Sequence, residues 1–102
     1  MVDQGIIDVV KKYVMLVPKS FGVKRVYVFG SFAKGQAHEA SDIDIALVLA
    51  NLPDFFDAQK RLMQLRRKVD LRIEPHPIKL EDFNDSNPFA DELVRTGVEI
   101  EW

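Results

Sequence analysis

The sequence contains no cysteine, which excludes disulfide bonds and thiolate zinc sites and fits a reducing compartment. Long hydrophobic runs are missing as well: the longest, residues 45–50, is far shorter than the ~20 residues of a membrane-spanning helix. No signal-peptide pattern opens the chain, because Asp3 and Gln4 precede the first apolar stretch and no small-residue cleavage site follows it. We therefore expect a soluble cytoplasmic protein without membrane contact.

An excess of positive charge is also absent. The net charge is −2, from 14 Lys and Arg against 16 Asp and Glu. No broad basic field exists to attract nucleic acid by counterion release, so strong nucleic-acid binding is not expected. The 102 residues suffice for one domain with a single core, residues 1–102, and leave no room for accessory domains.

Helix-like and strand-like patterns alternate along the chain. Apolar residues recur at helical spacing over residues 3–17 and again after a turn at residues 51–54. The stripe of this second helix, interpreted as core, consists of Phe55, Ala58, Leu62, Leu65 and Val69. Residues 23–30, 42–50, 69–74 and 98–102 are typical of strands, and Asn87 with Pro88 marks another helix start. This order predicts an α/β fold with a mixed sheet of about four strands. We expect the helices to pack on one face of the sheet and a functional site to lie on the other.

Gly30 and Ser31 follow directly on the first predicted strand, where a short helical turn over residues 31–35 begins. Glycine lets the backbone approach a phosphate closely, the serine hydroxyl adds a donor, and the first amides of a helical turn favour anions. A strand-to-helix turn with Ser31 as N-cap and Gly35 as C-cap would give the same pattern. Taken alone, the pattern does not separate a phosphate site from such a turn.

Asp42 and Asp44 open the second strand, with ten residues between Ser31 and Asp42. Alternate residues of a strand point to one face, so the two carboxylates lie side by side, roughly 6 to 7 Å apart at the backbone. Mg²⁺ prefers such oxygen ligands together with waters and substrate phosphates. The structural alternative is a strand entry whose acids face water.

Taken together, these residues resemble the Gly-Ser-x10-Asp-x-Asp signature of the DNA polymerase beta-like nucleotidyltransferase superfamily, matched here at every defined position. The short chain resembles the minimal nucleotidyltransferase branch of that superfamily. The resemblance implies a nucleotidyltransferase-type core, ATP or another nucleoside triphosphate as substrate, and two Mg²⁺ ions. Gly30 and Ser31 would bind the nucleotide, and Asp42 and Asp44 would be catalytic metal ligands.

The superfamily also uses a third acid from a later strand, for which Asp70 is the first candidate and Glu74 the substitute. Asp70, Arg72 and Glu74 would alternate on one face of a third strand over residues 69–74. A solvated row with a weak surface ion pair is the structural alternative. We interpret Asp70 as the third catalytic metal ligand. His76, between Pro75 and Pro77, is interpreted as part of a rigid turn that breaks this strand rather than as a catalytic base.

The expected function is Mg²⁺-dependent transfer of a nucleoside monophosphate, AMP from ATP, to an acceptor hydroxyl. By resemblance, the acceptor lies on a small helical toxin of the HEPN (higher eukaryote and prokaryote nucleotide-binding) type, and the chain is the antitoxin of a toxin-antitoxin pair. The alternative is a binding module without catalysis that neutralises a helical partner by masking its surface. Whether the chain forms a homo-oligomer stays open.

Overall fold

The computed structural model describes residues 2–52 and 54–102, and the α/β fold is confirmed. In chain order the helices and strands are α1 (Gln4–Leu16), β1 (Val23–Phe29), β2 (Ile43–Leu49), α2 (Phe55–Leu65), β3 (Ile73–Lys79), α3 (Pro88–Thr96) and β4 (Val98–Glu99). The four strands form one mixed sheet in the order β3-β2-β1-β4. Strand β1 pairs antiparallel with β2 and β4, whereas β2 and β3 run parallel.

Strand β2 lies in the interior of the sheet, and its sequence explains why. Six of its seven residues are buried, and all six are apolar. A strand covered on both faces reads as a continuous hydrophobic run rather than an alternating one. The exception is Asp44, near the start of the strand, which is partly exposed. The buried strand β2 therefore carries one partly exposed carboxylate, that of Asp44, near its first residue.

The helices cover both faces of the sheet, to different extents. Helices α1 and α2 pack on one face with the main core cluster, which includes Val10, Leu62 and Ile45. On the other face, Leu93 of α3 packs with Tyr27 and Ala46. The four-stranded mixed sheet is thus as predicted. The expectation that helices cover only one face was wrong for α3, which packs on the face that carries Asp44.

A buried tyrosine joins the two helices of the main face. The Tyr13 hydroxyl donates a hydrogen bond of 2.7 Å to the Leu62 carbonyl oxygen, which links α1 to α2. Burial raises the pKa of Tyr13 well above its ordinary value, because the phenolate would lose its hydration. This contact makes the packing of α1 on α2 sensitive to high pH.

Helix α2 begins directly after the predicted turn, and its buried residues differ from the predicted stripe at Phe55. The Asp54 side chain caps it by accepting a 3.0 Å bond from the Asp57 amide, while Pro53, part of the predicted turn, lies outside the described residues. Ala58, Leu62 and Leu65 are buried as predicted. The prediction was wrong for Phe55, which is 49% exposed.

Two predicted strands differ from the observed ones. The last strand is Val98–Glu99 rather than residues 98–102, and the third strand lies elsewhere. It does not span residues 69–74 but runs from Ile73 to Lys79, and Pro75 and Pro77 lie inside it rather than ending it. The strand lies at the edge of the sheet. A proline there removes no hydrogen bond between strands when its nitrogen faces away from the neighbouring strand. The Pro75 carbonyl points that way, since it accepts a 3.0 Å bond from Gln59 Nε2 of α2.

Within residues 2–52 and 54–102, no helix has the length and apolar character needed to cross a membrane. A cytoplasmic location stays a prediction.

Candidate active site

The end of β1 turns sharply at the Gly-Ser pair. Gly30 has a φ of +72° and Gly35 a φ of +70°, conformations that favour glycine. Between them the Lys34 amide donates to the Gly30 carbonyl oxygen over 3.1 Å and the Gln36 amide to that of Ser31 over 2.9 Å. The second bond and the left-handed Gly35 are typical of a Schellman ending, so residues 30–35 form one compact helical turn. Turns of this kind bind anions through their first amides.

Asp44 lies directly against this turn. Its backbone is paired with Phe29, the last residue of β1, so its carboxylate projects beside Gly30. A Cβ atom at position 30 would lie only 2.5 Å from Asp44 Oδ2. Gly30 therefore has two functions at once: it permits the positive φ, and it leaves the space that the carboxylate occupies. This contact is the tightest link between the two halves of the sequence signature.

Asp42 precedes the first residue of β2 and is exposed, whereas the side chain of Asp44 is 29% exposed. The loop before Asp42 is closed by local bonds: the Ser41 amide donates to the His38 carbonyl oxygen over 2.9 Å, and the His38 amide to Ser41 Oγ over 3.0 Å. The Ile43 amide donates to the Arg72 carbonyl oxygen over 2.8 Å, which fixes the start of β2 against the chain leading into β3. The two acids thus stand at one end of the sheet.

The two candidates for a third acid have different surroundings. Asp70 lies before β3, and its carboxylate is held by Arg72 through bonds of 3.0 Å from Nε and 2.7 Å from Nη2. The Arg72 guanidinium lowers the pKa of Asp70. Glu74 lies inside β3 directly opposite Asp44 in the parallel register, so the two side chains share a face. Glu74 is 3.3 Å from Nη1 of Arg66.

His76 also reaches this face, two residues beyond Glu74. Its Nε2 lies 3.3 Å from Asp44 Oδ1. The ring of Phe29 meets the imidazole edge-on, with 5.0 Å between ring centres, and Phe89 of α3 lies 6.4 Å away. The site face therefore carries a carboxylate, an imidazole and two aromatic rings next to the glycine turn.

Comparison with known proteins agrees with this arrangement. The family model described as "Polymerase beta, Nucleotidyltransferase" matches residues 8–101. The chain belongs to this nucleotidyltransferase family. The predicted superfamily and enzyme class are thereby confirmed.

Three similar proteins illustrate the family. A "Putative protein adenylyltransferase" of Methanocaldococcus jannaschii is 36% identical over 71 residues, which cover 66% of this chain and 72% of that protein. The "Protein adenylyltransferase MntA" of Thermococcus cleftensis is 33% identical over 54 residues, 53% of this chain and 54% of that one. The crystal structure of a toxin-antitoxin with AMP-PNP shares the fold, with a TM-score of 0.67, 24% identity, and coverage of 91% of this chain and 70% of that chain.

The residues at this nucleotidyltransferase site suit a hard cation. Asp42, Asp44 and Glu74 offer carboxylate oxygens at one end of two adjacent strands, the ligand type that Mg²⁺ takes together with substrate phosphates. Within the described part of the chain, no three Asp, Glu or His side chains already converge into a metal site. The fit is thus to a cation shared between protein and triphosphate rather than to one caged by protein alone.

Of the predicted site residues, the structure brings Asp44 against Gly30, with Ser31 next in the turn and Asp42 just before β2. Asp70 lies before β3 and is engaged with Arg72. His76 was missed as a site residue because the prolines were interpreted as a break. The signal that could have found it is the alternation Glu74, His76, Ile78, which continues through both prolines once β3 is recognised as an edge strand.

Proposed function

We propose that this chain is a Mg²⁺-dependent protein adenylyltransferase that transfers AMP from ATP to a hydroxyl of a partner protein. The observation that carries the proposal is the close approach of Asp44 to Gly30, which places the glycine turn next to the acidic start of β2. Neither part alone implies nucleotide transfer, but a triphosphate next to an acidic cation site is what that reaction requires.

In this proposal the turn at residues 30–35 binds the triphosphate, with Gly30 allowing close approach and Ser31 donating through its hydroxyl. Asp42 and Asp44 would hold Mg²⁺, two ions in total, which would neutralise phosphate charge and stabilise the attacking and leaving oxygens. The acceptor oxygen forms a bond to the α-phosphorus, the bond from that phosphorus to the bridging oxygen of the β-phosphate breaks, pyrophosphate leaves, and the acceptor proton passes to water.

We also propose that Glu74 completes the acidic set in preference to Asp70. Glu74 faces the same side of the sheet as Asp44 from the directly paired position. Asp70 lies before the strand, and its carboxylate already receives three hydrogen bonds from the Arg72 side chain. Freeing Asp70 for a cation would require breaking a bidentate ion pair, whereas Glu74 has a single 3.3 Å contact with Arg66. In this view Asp70 orients Arg72, whose carbonyl supports the start of β2.

The acceptor and the partner are proposed from the relatives. Two similar proteins carry the name protein adenylyltransferase, and the fold recurs in a toxin-antitoxin structure solved with an ATP analogue. A small helical toxin of the HEPN type is therefore the partner to test, with this chain as antitoxin. Large apolar side chains available for docking include Met15, Phe56 and Trp102, which are 81%, 80% and 51% exposed.

The decisive experiment incubates the purified chain with α-labelled ATP, Mg²⁺ and a HEPN-type protein, followed by intact-mass analysis of both proteins. We expect an adenylyl adduct on the partner that Asp44→Asn abolishes, since this change removes a cation ligand while preserving shape. Titration calorimetry of ATP with and without Mg²⁺ accompanies it. An Asp44→Asn variant that labels the partner as fast as the native chain would refute the proposal.

The exposed apolar side chains also favour the second candidate function, neutralisation by masking alone. That function predicts that Asp42→Asn and Asp44→Asn variants still neutralise the toxin and bind it with native affinity. Adenylyl transfer predicts that the variants still bind the toxin but no longer neutralise it. A growth assay combined with a pull-down of the two variants separates the two functions.

A further inference from the structure

The imidazole of His76, whose side chain is 43% exposed, has defined neighbours on this face of the sheet. On β2 it stands opposite Ala46, whose small side chain leaves room for the ring to lean toward Asp44. The Phe29 ring meets it at an angle of 65°. These contacts leave Nε2 directed at Asp44 Oδ1.

The backbone that carries His76 is restrained as well. Pro75 and Pro77 flank it, and both are buried on the opposite face of the sheet, under α2. A proline ring fixes φ near −65°, so two of them restrict the strand on either side of the histidine. The Gln59 side chain adds a hydrogen bond to the outward Pro75 carbonyl. The edge strand is thereby restrained on both sides of the residue that presents the imidazole, in addition to its pairing with β2.

The two oxygens of Asp44 consequently have different neighbours. Oδ2 lies in the space left by the missing Cβ of Gly30, and Oδ1 lies 3.3 Å from His76 Nε2. The carboxylate thus lies between the backbone of Gly30 on one side and the imidazole of His76 on the other, which restricts its rotation about the last bond. Groups that orient ligating carboxylates in this way typically tune a site without contacting the reacting atoms.

We propose that His76 is a positioning residue that fixes the Asp44 carboxylate by donating a hydrogen bond from Nε2 to Oδ1. This inference rests on the proposed function for its kinetic consequence but not for its structural one. The structural consequence is an Nε2–H proton bound to Asp44 in the isolated chain, whatever reaction the chain catalyses.

The kinetic test uses three substitutions that differ in how far a donor reaches. His76→Gln retains an amide NH₂ near the position of Nε2, His76→Asn keeps one near Nδ1 only, and His76→Ala has none. We expect His76→Ala and His76→Asn to lower kcat for adenylyl transfer about 10–100-fold with little change in KM for ATP, and His76→Gln to restore most of it. His38→Ala, the change at the other histidine, is the matched control. A His76→Gln variant as slow as His76→Ala, or a His76→Ala variant as fast as the native chain, would overturn the proposal.

The spectroscopic test needs no turnover. A long-range proton–nitrogen NMR spectrum of the native chain, at a pH where free imidazole is neutral, should show His76 with a protected, downfield Nε2–H proton that is lost in Asp44→Ala. His76 protonated at Nδ1 instead, or an Nε2–H signal that Asp44→Ala leaves unchanged, would overturn the positioning role. Absence of any adenylyl transfer by the native chain would instead refute the proposed function, and the NMR result would still decide the role of His76. Thermal melts of every variant confirm that the fold is retained.

Discussion

Replacing Gly30 by alanine tests the central contact of the site. The new Cβ would lie 2.5 Å from Asp44 Oδ2, closer than real Cβ contacts come. Because the neighbouring atom is the end of a side chain, the carboxylate can move aside, and we expect the fold to survive. The movement needed to reach 3.0 Å is about half an ångström, and it changes the position of the carboxylate relative to His76 Nε2.

The two costs of Gly30→Ala can be separated by magnitude. A left-handed φ of +72° costs an alanine about 1–2 kcal/mol in the free energy of unfolding. Each kcal/mol corresponds to about 4–8 °C in Tm for a domain of this size. Displacement of Asp44 adds little to that cost, but it should lower adenylyl transfer about tenfold to a hundredfold, since misplacing a reacting group by about 1 Å costs about 100-fold.

Gly35→Ala is the matched control for this prediction. Gly35 has nearly the same φ, +70°, and a Cβ there would meet nothing within 4 Å. Thermal melts should show similar destabilisation for both variants, whereas transfer and Mg²⁺-dependent ATP binding should fall only in Gly30→Ala. If Gly35→Ala loses transfer to the same extent, or if Gly30→Ala keeps native activity, the argument from the Asp44 contact is refuted.

Three further predictions follow from individual side chains. Tyr13→Phe should lower the free energy of unfolding by about 0.5–1.5 kcal/mol at neutral pH, because the hydrogen bond to Leu62 is lost. Above pH ~10 the native chain should lose up to about 1.4 kcal/mol of stability per pH unit, because burial raises the pKa of Tyr13 and folding favours the protonated phenol. Tyr13→Phe should remove part of that loss. Asp70→Asn should flatten the loss of stability as pH falls below about 4, because Arg72 lowers the Asp70 pKa and stabilises the charged form. Glu74→Gln should lower adenylyl transfer more than Asp70→Asn.

Denaturant unfolding at a series of pH values measures the first two effects, with Tyr27→Phe as the control for Tyr13→Phe. Parallel pH profiles of the native chain and Tyr13→Phe above pH ~10 would contradict the first prediction. An unchanged acid limb in Asp70→Asn would contradict the second. For the third, labelled ATP gives the initial rate of each variant, and a larger loss in Asp70→Asn would restore Asp70 as the third acid.

The sequence determined the parts of this protein that depend on local spacing. Helical periodicity located α1, and Asn87 with Pro88 located the start of α3, where Asn87 accepts bonds from two amides of the first turn. The strand-turn-strand arrangement of Gly30, Ser31, Asp42 and Asp44 could be recognised because glycine suits a sharp turn and the alternation of the two acids suits the start of a strand. The family followed from those same residues.

Tertiary structure decided what depends on the neighbours of β3. Whether Pro75 and Pro77 end a strand or lie within one depends on its being at the sheet edge, where the backbone of alternate residues faces outward and needs no partner strand. That placement shifted the strand to Ile73–Lys79, set Glu74 opposite Asp44 and brought His76 into the site. Pairing between strands is a long-range property, and a slip of one residue exchanges the two faces of a strand. Local patterns therefore indicated an acidic site, but they could not decide which of Asp70, Glu74 and His76 faces Asp44.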